Sequence, residues 1–229
     1  VVDRDLPEAG YRVRRPATVL AWMRAYAAAT ATTATWETIR DAATAGSSSK
    51  PAKATTIGYV ELLTNLRVLD PLPAWTPSLN HLGRLTAASK HHLADPALAA
   101  RLLRRTRAHL LGGADDVRPL DGSLLGNLFE SLAALSVRTY AQRLHADVGH
   151  LRLEGGRHEI DFIVDAGDRV LGLEAKLAGT IDDDDVRHLR WLRERLGSRV
   201  VDLVVLTTGP AAYRRPDGIA VVPLALLGR

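Results

Sequence analysis

The fold of the second half of the chain follows from two adjoining stretches: HEIDFIV at residues 158–164 and RVLGLEAKL at residues 169–177. In both, apolar side chains alternate with polar or small ones, a period of two that is typical of β-strands with one buried face. The four residues between them, DAGD at 165–168, have the composition of a turn. The two stretches therefore predict a β-hairpin.

The register of this hairpin predicts which side chains meet. If Val164 pairs with Arg169 across the turn, Asp161 lies opposite Gly172 and diagonal to Glu174. Since Gly172 has no side chain, we expect it to leave room for a ligand beside Asp161.

Alternation also places three charged side chains, Asp161, Glu174 and Lys176, on one face of the hairpin. The other face collects the apolar residues Ile160, Phe162, Leu173, Ala175 and Leu177. A slip of one residue would bury the charged trio, so the apolar face fixes the register. The charged face is either a solvated ion pair or the start of a functional site.

Two carboxylates on one strand face suit a hard cation. Mg²⁺ prefers oxygen ligands and keeps water or a substrate phosphate in its other positions, and Mn²⁺ accepts the same ligands. Asp161 and Glu174 are therefore predicted metal ligands, with Glu130 on the preceding helix as a third acid. Lys176 brings an ammonium that can position the attacking water. The use of Lys rather than Arg at position 176 is informative, because the chain has only four lysines among its 30 Lys and Arg residues.

The rest of the second half predicts helices and strands around this hairpin. A long amphipathic helix begins at Ser123, and a second has apolar residues at positions 186, 189, 192 and 196. The apolar runs at 200–206 and 219–222 predict two further strands, the first covered on both faces. Residues 121–229 are thus predicted to form an α/β sandwich of helix, hairpin, helix, strand and strand.

The first half is predicted to be helical. Helical spacing of apolar residues begins at Pro16, a second short helix runs from Thr35 to Ala42, and a third covers 55–66 before an extended stretch that reaches Trp75. Helix, short helix, turn, helix and strand is the order of a winged helix-turn-helix. A small helical bundle fits the same pattern equally well.

Two further groups of residues invite a metal interpretation that we reject. Adjacent histidines point apart on a strand, so His91 and His92 are predicted to be structural rather than ligands with Asp95, which has the position of a helix cap before Pro96. The acidic run at 182–185 directly precedes a helix, where carboxylates accept orphan amide hydrogens. We expect it to act in capping. The tryptophans are expected in the core.

Candidate contacts with DNA phosphates lie on two helices. At the start of the third helix they are Lys50, Lys53, Thr55 and Thr56, and on the helix that follows the hairpin they are Arg187 and Arg190. Winged helices also bind proteins, and arginines on a helix also form an ordinary solvated face. The sequence leaves both alternatives open.

Composition excludes several function classes. The 229 residues are 46% hydrophobic and 24% charged, as in folded globular proteins, and there is no cysteine, which removes disulfides, thiolate metal sites and cysteine nucleophiles. The net charge of +4 permits an anionic partner without requiring one. Because the chain shows neither a signal peptide nor an apolar run of about 20 residues, we expect a cytoplasmic protein without membrane contact.

Asp161 followed by Glu174-Ala175-Lys176 resembles the PD-(D/E)xK motif of restriction-endonuclease-like phosphodiesterases. In that resemblance Glu130, in the segment GNLFE at 126–130, corresponds to the helical acid of the motif. Ile160 stands where the motif has Pro, a departure that removes no ligand.

More narrowly, nearly the whole chain resembles the C-terminal part of bacterial P-loop ATPases that carry an uncharacterised C-terminal domain. The matching segments are Arg4 to Leu6, Thr56 to Trp75, Lys90 to Asp95 and Gly126 to Lys176. The resemblance implies four regions: 1–15 as the tail of an ATPase module, 16–76 as a winged helix, 77–120 as a connecting helical region and 121–229 as a nuclease-like domain. No Gly-rich phosphate loop ending in Lys is present, so this chain alone is not expected to hydrolyse ATP. The absence of a starting Met agrees with an expected N-terminal ATPase half.

Together these features predict an α/β protein in which a small winged helix precedes a restriction-endonuclease-like sandwich. The expected function is Mg²⁺-dependent hydrolysis of DNA phosphodiesters, with DNA and the ATPase half as partners. The alternatives are a catalytically silent DNA-binding or regulatory adaptor of the ATPase and a pure protein-interaction module. The oligomeric state, a homo-oligomer included, stays open.

Overall fold

The computed structural model describes residues 2, 4–8, 10, 15–45, 52–77, 87–112 and 122–227. The chain divides into two compact units. The first comprises Val1–Pro71 with Lys90–Asp121, and the second comprises Leu72–Ser89 with Gly122–Arg229. The segment 77–120, predicted to connect two domains, is thus shared between the units. The described ranges hold eight α-helices and one six-stranded mixed sheet, a mixed α/β protein as predicted.

The first unit is helical in its described part. Its helices are α1 (Asp5–Glu8), α2 (Pro16–Ala28), α3 (Trp36–Ala43), α4 (Lys53–Asn65), α5 (Pro96–Leu102) and α6 (Arg107–Leu111). Local chemistry sets their starts. Pro16 occupies the first turn of α2, the Thr35 hydroxyl accepts the Thr38 amide of α3, and the Asp95 carboxylate accepts the Ala97 amide of α5. The predicted Asp95 cap and the three predicted helices are confirmed.

An aromatic cluster joins the buried Trp22 and Tyr26 to Trp36, which is 39% exposed, so the expectation of a core tryptophan is wrong for Trp36. Trp22 stacks on Tyr26 with ring centroids 5.5 Å apart, and Trp36 stacks on both of them. The His91 ring meets the edges of Tyr26 and Trp36 at 5.0 and 4.7 Å, and its Nε2 donates to the Ala34 carbonyl at 2.7 Å. Burial lowers the pKa of His91, which favours the neutral imidazole. The structural interpretation of His91 is confirmed.

The extended stretch expected at 67–75 is not a strand. Leu69 forms an isolated antiparallel bridge with Leu93, and Ala74 forms an isolated parallel bridge with His150. A wing of paired strands is therefore absent from the described residues of this stretch, and the winged-helix assignment stays a prediction.

The second unit is built around the sheet, whose strand order is β1-β2-β3-β4-β6-β5. The strands are β1 (Asp147–Leu153), β2 (His158–Asp165), β3 (Val170–Ala175), β4 (Val200–Thr207), β5 (Tyr213–Arg214) and β6 (Ala220–Pro223). The first three form an antiparallel meander, β4 runs parallel to both β3 and β6, and β5 is antiparallel to β6. The predicted hairpin is β2–β3. Sequence reasoning did not identify β1 or β5 as strands.

Two helices, α7 (Gly122–Arg143) and α8 (Arg187–Leu196), cover opposite faces of this sheet. The α7 face contains Phe162, Leu173 and Leu206. The α8 face contains Ile163 and Val205, among other buried residues. Apolar side chains on both faces explain why β4 reads as a nearly continuous apolar run. None of the described helices is long and apolar enough to cross a bilayer.

Gly172 has a packing role, which corrects the expectation that it leaves room for a ligand. A Cβ at this position would lie 2.8 Å from Leu192 Cδ2, 3.0 Å from Leu203 Cδ2 and 3.3 Å from Leu189 Cδ2. The space beside Gly172 is therefore filled by α8 and β4, and the glycine lets the helix approach the sheet.

The register of the hairpin differs by two residues from the predicted one. Val164 pairs with Leu171 rather than with Arg169, and Ile163 pairs with Gly172. The turn is therefore longer than expected, and it is held by the Ala166 amide, which donates to the Arg169 carbonyl at 3.0 Å. A shift of two residues leaves every side chain of a strand on its expected face.

A β-bulge interrupts β2 at Asp161 and Phe162. Between the β1–β2 pairs Gly149–Ile163 and Leu151–Ile160, β2 advances by three residues while β1 advances by two. Ile160 therefore lies in the same core cluster as Ile163, on the face opposite to Phe162. The expectation that Ile160 and Phe162 share a face is wrong, because the extra residue reverses the alternation.

Candidate active site

The bulge positions Asp161 at the point where β2 and β3 stop pairing. Pairs between these strands extend only to Phe162–Leu173, although β3 continues to Ala175. There the Ala175 amide donates to Asp161 Oδ2 at 3.0 Å. The Asp161 carboxylate thus accepts the amide that a backbone carbonyl of β2 would accept in a regular ladder. This hydrogen bond holds the carboxylate where the pairing of β2 with β3 ends.

Glu174 lies beside this carboxylate. It follows Gly172 by two residues, which puts it on the α8 face, and it pairs across the sheet with Val205 of that face. Continuing the observed β2–β3 register places Glu174 opposite Asp161. Both side chains are buried, with 8% of Asp161 and 4% of Glu174 exposed. In this register two largely buried carboxylates come from neighbouring strands, and they offer the oxygen donors that a hard cation prefers.

Lys176 continues the same strand direction just beyond β3. Its amide donates to the Leu206 carbonyl at 2.8 Å, which fixes its backbone against β4. Its Nζ lies 3.7 Å from Asp185 Oδ1, and the side chain is 36% exposed. A long, partly exposed ion pair of this kind is weak, so the ammonium can exchange Asp185 for another anion.

Glu130 comes from the helix on the other side of the sheet. It lies on α7, whose buried residues, Ala133, Ala134 and Val137 among them, pack with Phe162 and Leu173. Glu174 is on the α8 face. The grouping of Glu130 with the two strand carboxylates stays a prediction.

The donor set fits a magnesium ion better than a metal that needs many protein ligands. Among the described residues no group of three or more His, Asp or Glu side chains is arranged around one point. Asp161 and Glu174 supply two oxygen donors, and Mg²⁺ binds through one or two carboxylates while water and phosphate fill its other positions.

Sequence reasoning missed a group of rings at the same end of the α8 face. His158 of β2 stacks on Trp191 of α8 with ring centroids 4.1 Å apart, and His188 meets His158 edge-on at 6.1 Å. Arg187 Nε donates to His188 Nε2 at 3.1 Å. The alternation of β2 could have indicated that His158 lies on the same face as Ile160. No pattern in the sequence indicates that His158 contacts α8.

The pKa of His188 is lowered, first by burial and then by the positive charges of Arg187, His158 and Lys176. Glu159 acts in the opposite direction, but it also pairs with Arg152 at 2.8 Å. His188 is therefore surrounded mainly by positive charge.

Arg190, predicted to contact DNA, is held in a network of carboxylates. Its NH2 lies 2.7 Å from Asp183 Oδ1 and 2.6 Å from Asp217 Oδ2, and Arg215 pairs with both acids. The hydrogen bonds that Arg190 donates to Asp217 and Asp183 raise the pKa of Arg190, and the bonds that Asp183 accepts from Arg190 and Arg215 lower the pKa of Asp183. For Asp217, burial raises the pKa, but its hydrogen bonds outweigh burial and the net shift is downward.

The acidic run at 182–185 serves the turn before α8. Asp182 Oδ1 accepts the amides of Asp184 and Asp185 at 2.9 and 3.1 Å, and Asp183 joins the arginine network. These carboxylates satisfy amides within the run and guanidinium groups, whereas the N-cap of α8 is Val186, which makes no side-chain cap bond, so the expected capping of the helix is wrong. Helix α8 begins at Arg187, two residues after Asp185.

The residues of the first unit that were predicted to contact DNA differ in their exposure. Lys50 lies outside the described residues, and Lys53 and Thr55 are exposed at the start of α4. Thr56 is only 4% exposed, so its hydroxyl does not face solvent for a phosphate contact. Lys53 and Thr56 instead line a cavity of about 590 Å³ between α3 and α4, with Trp36 and Ile57 among its other walls.

Two family models, both of domains of unknown function, match parts of the chain. Residues 125–227 match the model of a domain of unknown function, DUF4143, and residues 1–109 match that of another, DUF8612. No curated protein and no solved structure matches the chain. The match at 125–227 is compatible with the C-terminal part of an ATPase-associated protein. The carboxylate pair and the ring cluster thus lie within the part of the chain that is similar to DUF4143.

Proposed function

We propose that the second unit is an Mg²⁺-dependent DNA phosphodiester hydrolase module, for which Mn²⁺ can substitute, in the C-terminal part of a P-loop ATPase. The observation that carries the proposal is the bulge, which brings the Asp161 carboxylate to the Ala175 amide, one residue after Glu174, where β2 and β3 stop pairing. Bulges occur often beside active sites, where they re-aim a side chain.

The order of elements supports a restriction-endonuclease-like sandwich. Helix α7 is followed by the β1–β2–β3 meander, by α8 and by β4 parallel to β3. Asp161, Glu174 and Lys176, which carry the resemblance, then lie where the pairing of β2 with β3 ends. In the proposal the first unit, as a winged helix, contacts DNA or a partner protein.

In this mechanism Asp161 and Glu174 would hold the metal, which when bound supplies a Lewis acid and lowers the pKa of water. The Lys176 ammonium orients the attacking water and offsets charge on the phosphate, once it leaves Asp185. Glu130 supports the site from α7. The Ala175 amide keeps the Asp161 carboxylate in position by donating to its Oδ2.

The test is nicking of supercoiled plasmid by the whole chain with Mg²⁺ or Mn²⁺. We expect Asp161→Asn, Glu174→Gln and Lys176→Met each to reduce the rate by at least about 10²-fold, the usual scale for a group that acts in proton transfer or charge stabilisation. Asp168→Asn is the matched control, because it removes one negative charge from the exposed turn of the same hairpin. Equal rates in all five proteins, or no nicking by any of them, contradict the proposal.

The second candidate is a catalytically silent DNA-binding or regulatory adaptor of the ATPase. It is favoured by the pairing of Lys176 with Asp185, which gives the lysine a partner within the protein. DNA binding that is insensitive to divalent ions and to Asp161→Asn would support it. If no duplex is bound at low salt, where phosphate-driven binding is strongest, the module instead contacts proteins.

A further inference from the structure

Two arginines one turn apart on α8 have opposite surroundings. Arg190 is held by Asp183 and Asp217, so its charge is neutralised within the protein. Arg187 is exposed, and its described hydrogen bond goes to a neutral acceptor, His188 Nε2. None of the ion pairs among the described residues includes Arg187. Its positive charge is therefore available to an outside anion.

The hydrogen bond from Arg187 also determines the donor on its neighbour. A neutral imidazole that accepts at Nε2 carries its proton on Nδ1. His188 can therefore donate from Nδ1 while the terminal amino groups of Arg187 donate beside it. The stack of His158 on Trp191, with His188 against its edge, fixes the rings that form this surface.

This surface adjoins the carboxylate pair. Lys176 follows Glu174 by two residues in the same strand direction, and its Nζ lies 3.7 Å from Oδ1 of Asp185, two residues before α8 begins at Arg187. Lys176 therefore connects the carboxylate end of the hairpin with the start of α8, where Arg187 and His188 lie. A metal between the carboxylates and cations beside them would suit successive phosphates of one strand, because nucleic acids repeat their charge at a fixed short spacing.

We propose that Arg187, His188 and Lys176 form a phosphodiester-binding subsite that holds the DNA backbone next to the phosphate being cleaved. The proposal rests on the proposed function for the nature of the anion, and it assigns to His188 a hydrogen-bond donor at Nδ1. It also removes Arg190 from the DNA-binding surface.

The experiment measures binding of a fluorescent duplex to the whole chain by anisotropy, in EDTA, over a series of salt concentrations. Arg187→Gln is compared with Arg195→Gln, which removes the same charge from an exposed position near the other end of α8. We expect Arg187→Gln to weaken binding at least about fivefold at low salt and to reduce the salt slope by about one. We expect Arg195→Gln to change binding less than about twofold, as a remote charge does.

His188→Phe completes the comparison, because it retains a ring against His158 but removes the Nδ1 donor. We expect it to weaken binding about threefold or more, on the scale of one lost hydrogen bond. Thermal melts of the variants monitor folding. Equal losses for Arg187→Gln and Arg195→Gln, or no binding of duplex by the unmodified chain, overturn the subsite.

Because EDTA removes divalent ions, this result is independent of catalysis. Binding that depends on Arg187, together with absent nicking, would retain the subsite and overturn the hydrolase. Nicking that depends on Asp161, together with equal binding by the two arginine variants, would retain the hydrolase and overturn the subsite.

Discussion

Each unit of this protein packs a histidine against a tryptophan, and the two clusters differ in burial and in the partners of the histidine. In the first unit His91 is buried between Trp36 and Tyr26, and its Nε2 has a carbonyl partner. In the second, His158 stacks on Trp191 at the margin of the core, with His188 and exposed cations around it. Burial with a backbone partner indicates a structural histidine, whereas His158 is only half-buried and lies beside His188, which accepts a hydrogen bond from the exposed Arg187.

The first prediction tests the structural side of this comparison and has the largest expected effect. Trp22 is completely buried against Tyr26 and Trp36, so Trp22→Ala should lower the free energy of unfolding by about 3–5 kcal/mol. Trp191→Ala, at the partly exposed cluster, should cost about 1 kcal/mol. Urea unfolding followed by circular dichroism measures both, and equal costs would remove the distinction between the clusters.

The second prediction concerns the helix that carries Trp191. Gly172→Ala inserts a Cβ against Leu189, Leu192 and Leu203, and overpacking of this kind should cost about 1–3 kcal/mol. Gly126→Ala in α7 is the control, since a Cβ there meets nothing within 4 Å, and it should be neutral or stabilise by up to about 1 kcal/mol. A Gly172→Ala protein of unchanged stability would show that α8 is not held closely against the sheet.

The third prediction, with the smallest effect, uses pH. Burial lowers the pKa of His91 in the folded protein, whereas the unfolded chain has the ordinary value near 6.5. Below about pH 6.5 the unfolded state takes up the proton first. Stability is therefore fully present above that pH and falls as the pH drops toward the folded pKa.

Imidazole titration by NMR and urea unfolding at pH 7.5 and 5.5 check this sign. His91→Phe should reduce the dependence without abolishing it, because His188 also has a lowered pKa and contributes in the same direction. A folded His91 that titrates at 6.5 or above would contradict the structural role given to it.

Local patterns predicted the helices of the first unit and the β2–β3 hairpin, because capping residues and periodicity lie within a few positions of each other. They did not predict β1. Its Gly149 lets the chain approach Pro73 and Trp75 so closely that a Cβ would lie 2.9 Å from the Pro73 carbonyl oxygen. Such an approach between distant segments leaves no periodic signal in either.

The candidate site shows the same limit. Alternation identified Asp161, Glu174 and Lys176, but the bulge that brings Asp161 to the Ala175 amide depends on pairing with β1. Arg187 and Arg190 both read as surface residues of one helix, and the ion pairs of Arg190 with Asp183 and with the distant Asp217 distinguish them. Contacts between elements decided what the sequence left open.

The bulge in β2 gives up backbone hydrogen bonds with β3 and in return positions the Asp161 carboxylate. A regular ladder would pair Ile160 with Ala175 and add backbone hydrogen bonds, yet it would withdraw the Asp161 carboxylate from the end of β3. Under the proposed hydrolase function, a relative whose β2 lacks this extra residue would keep the fold but not the position of the acid, so the presence or absence of the bulge would sort active from inactive relatives.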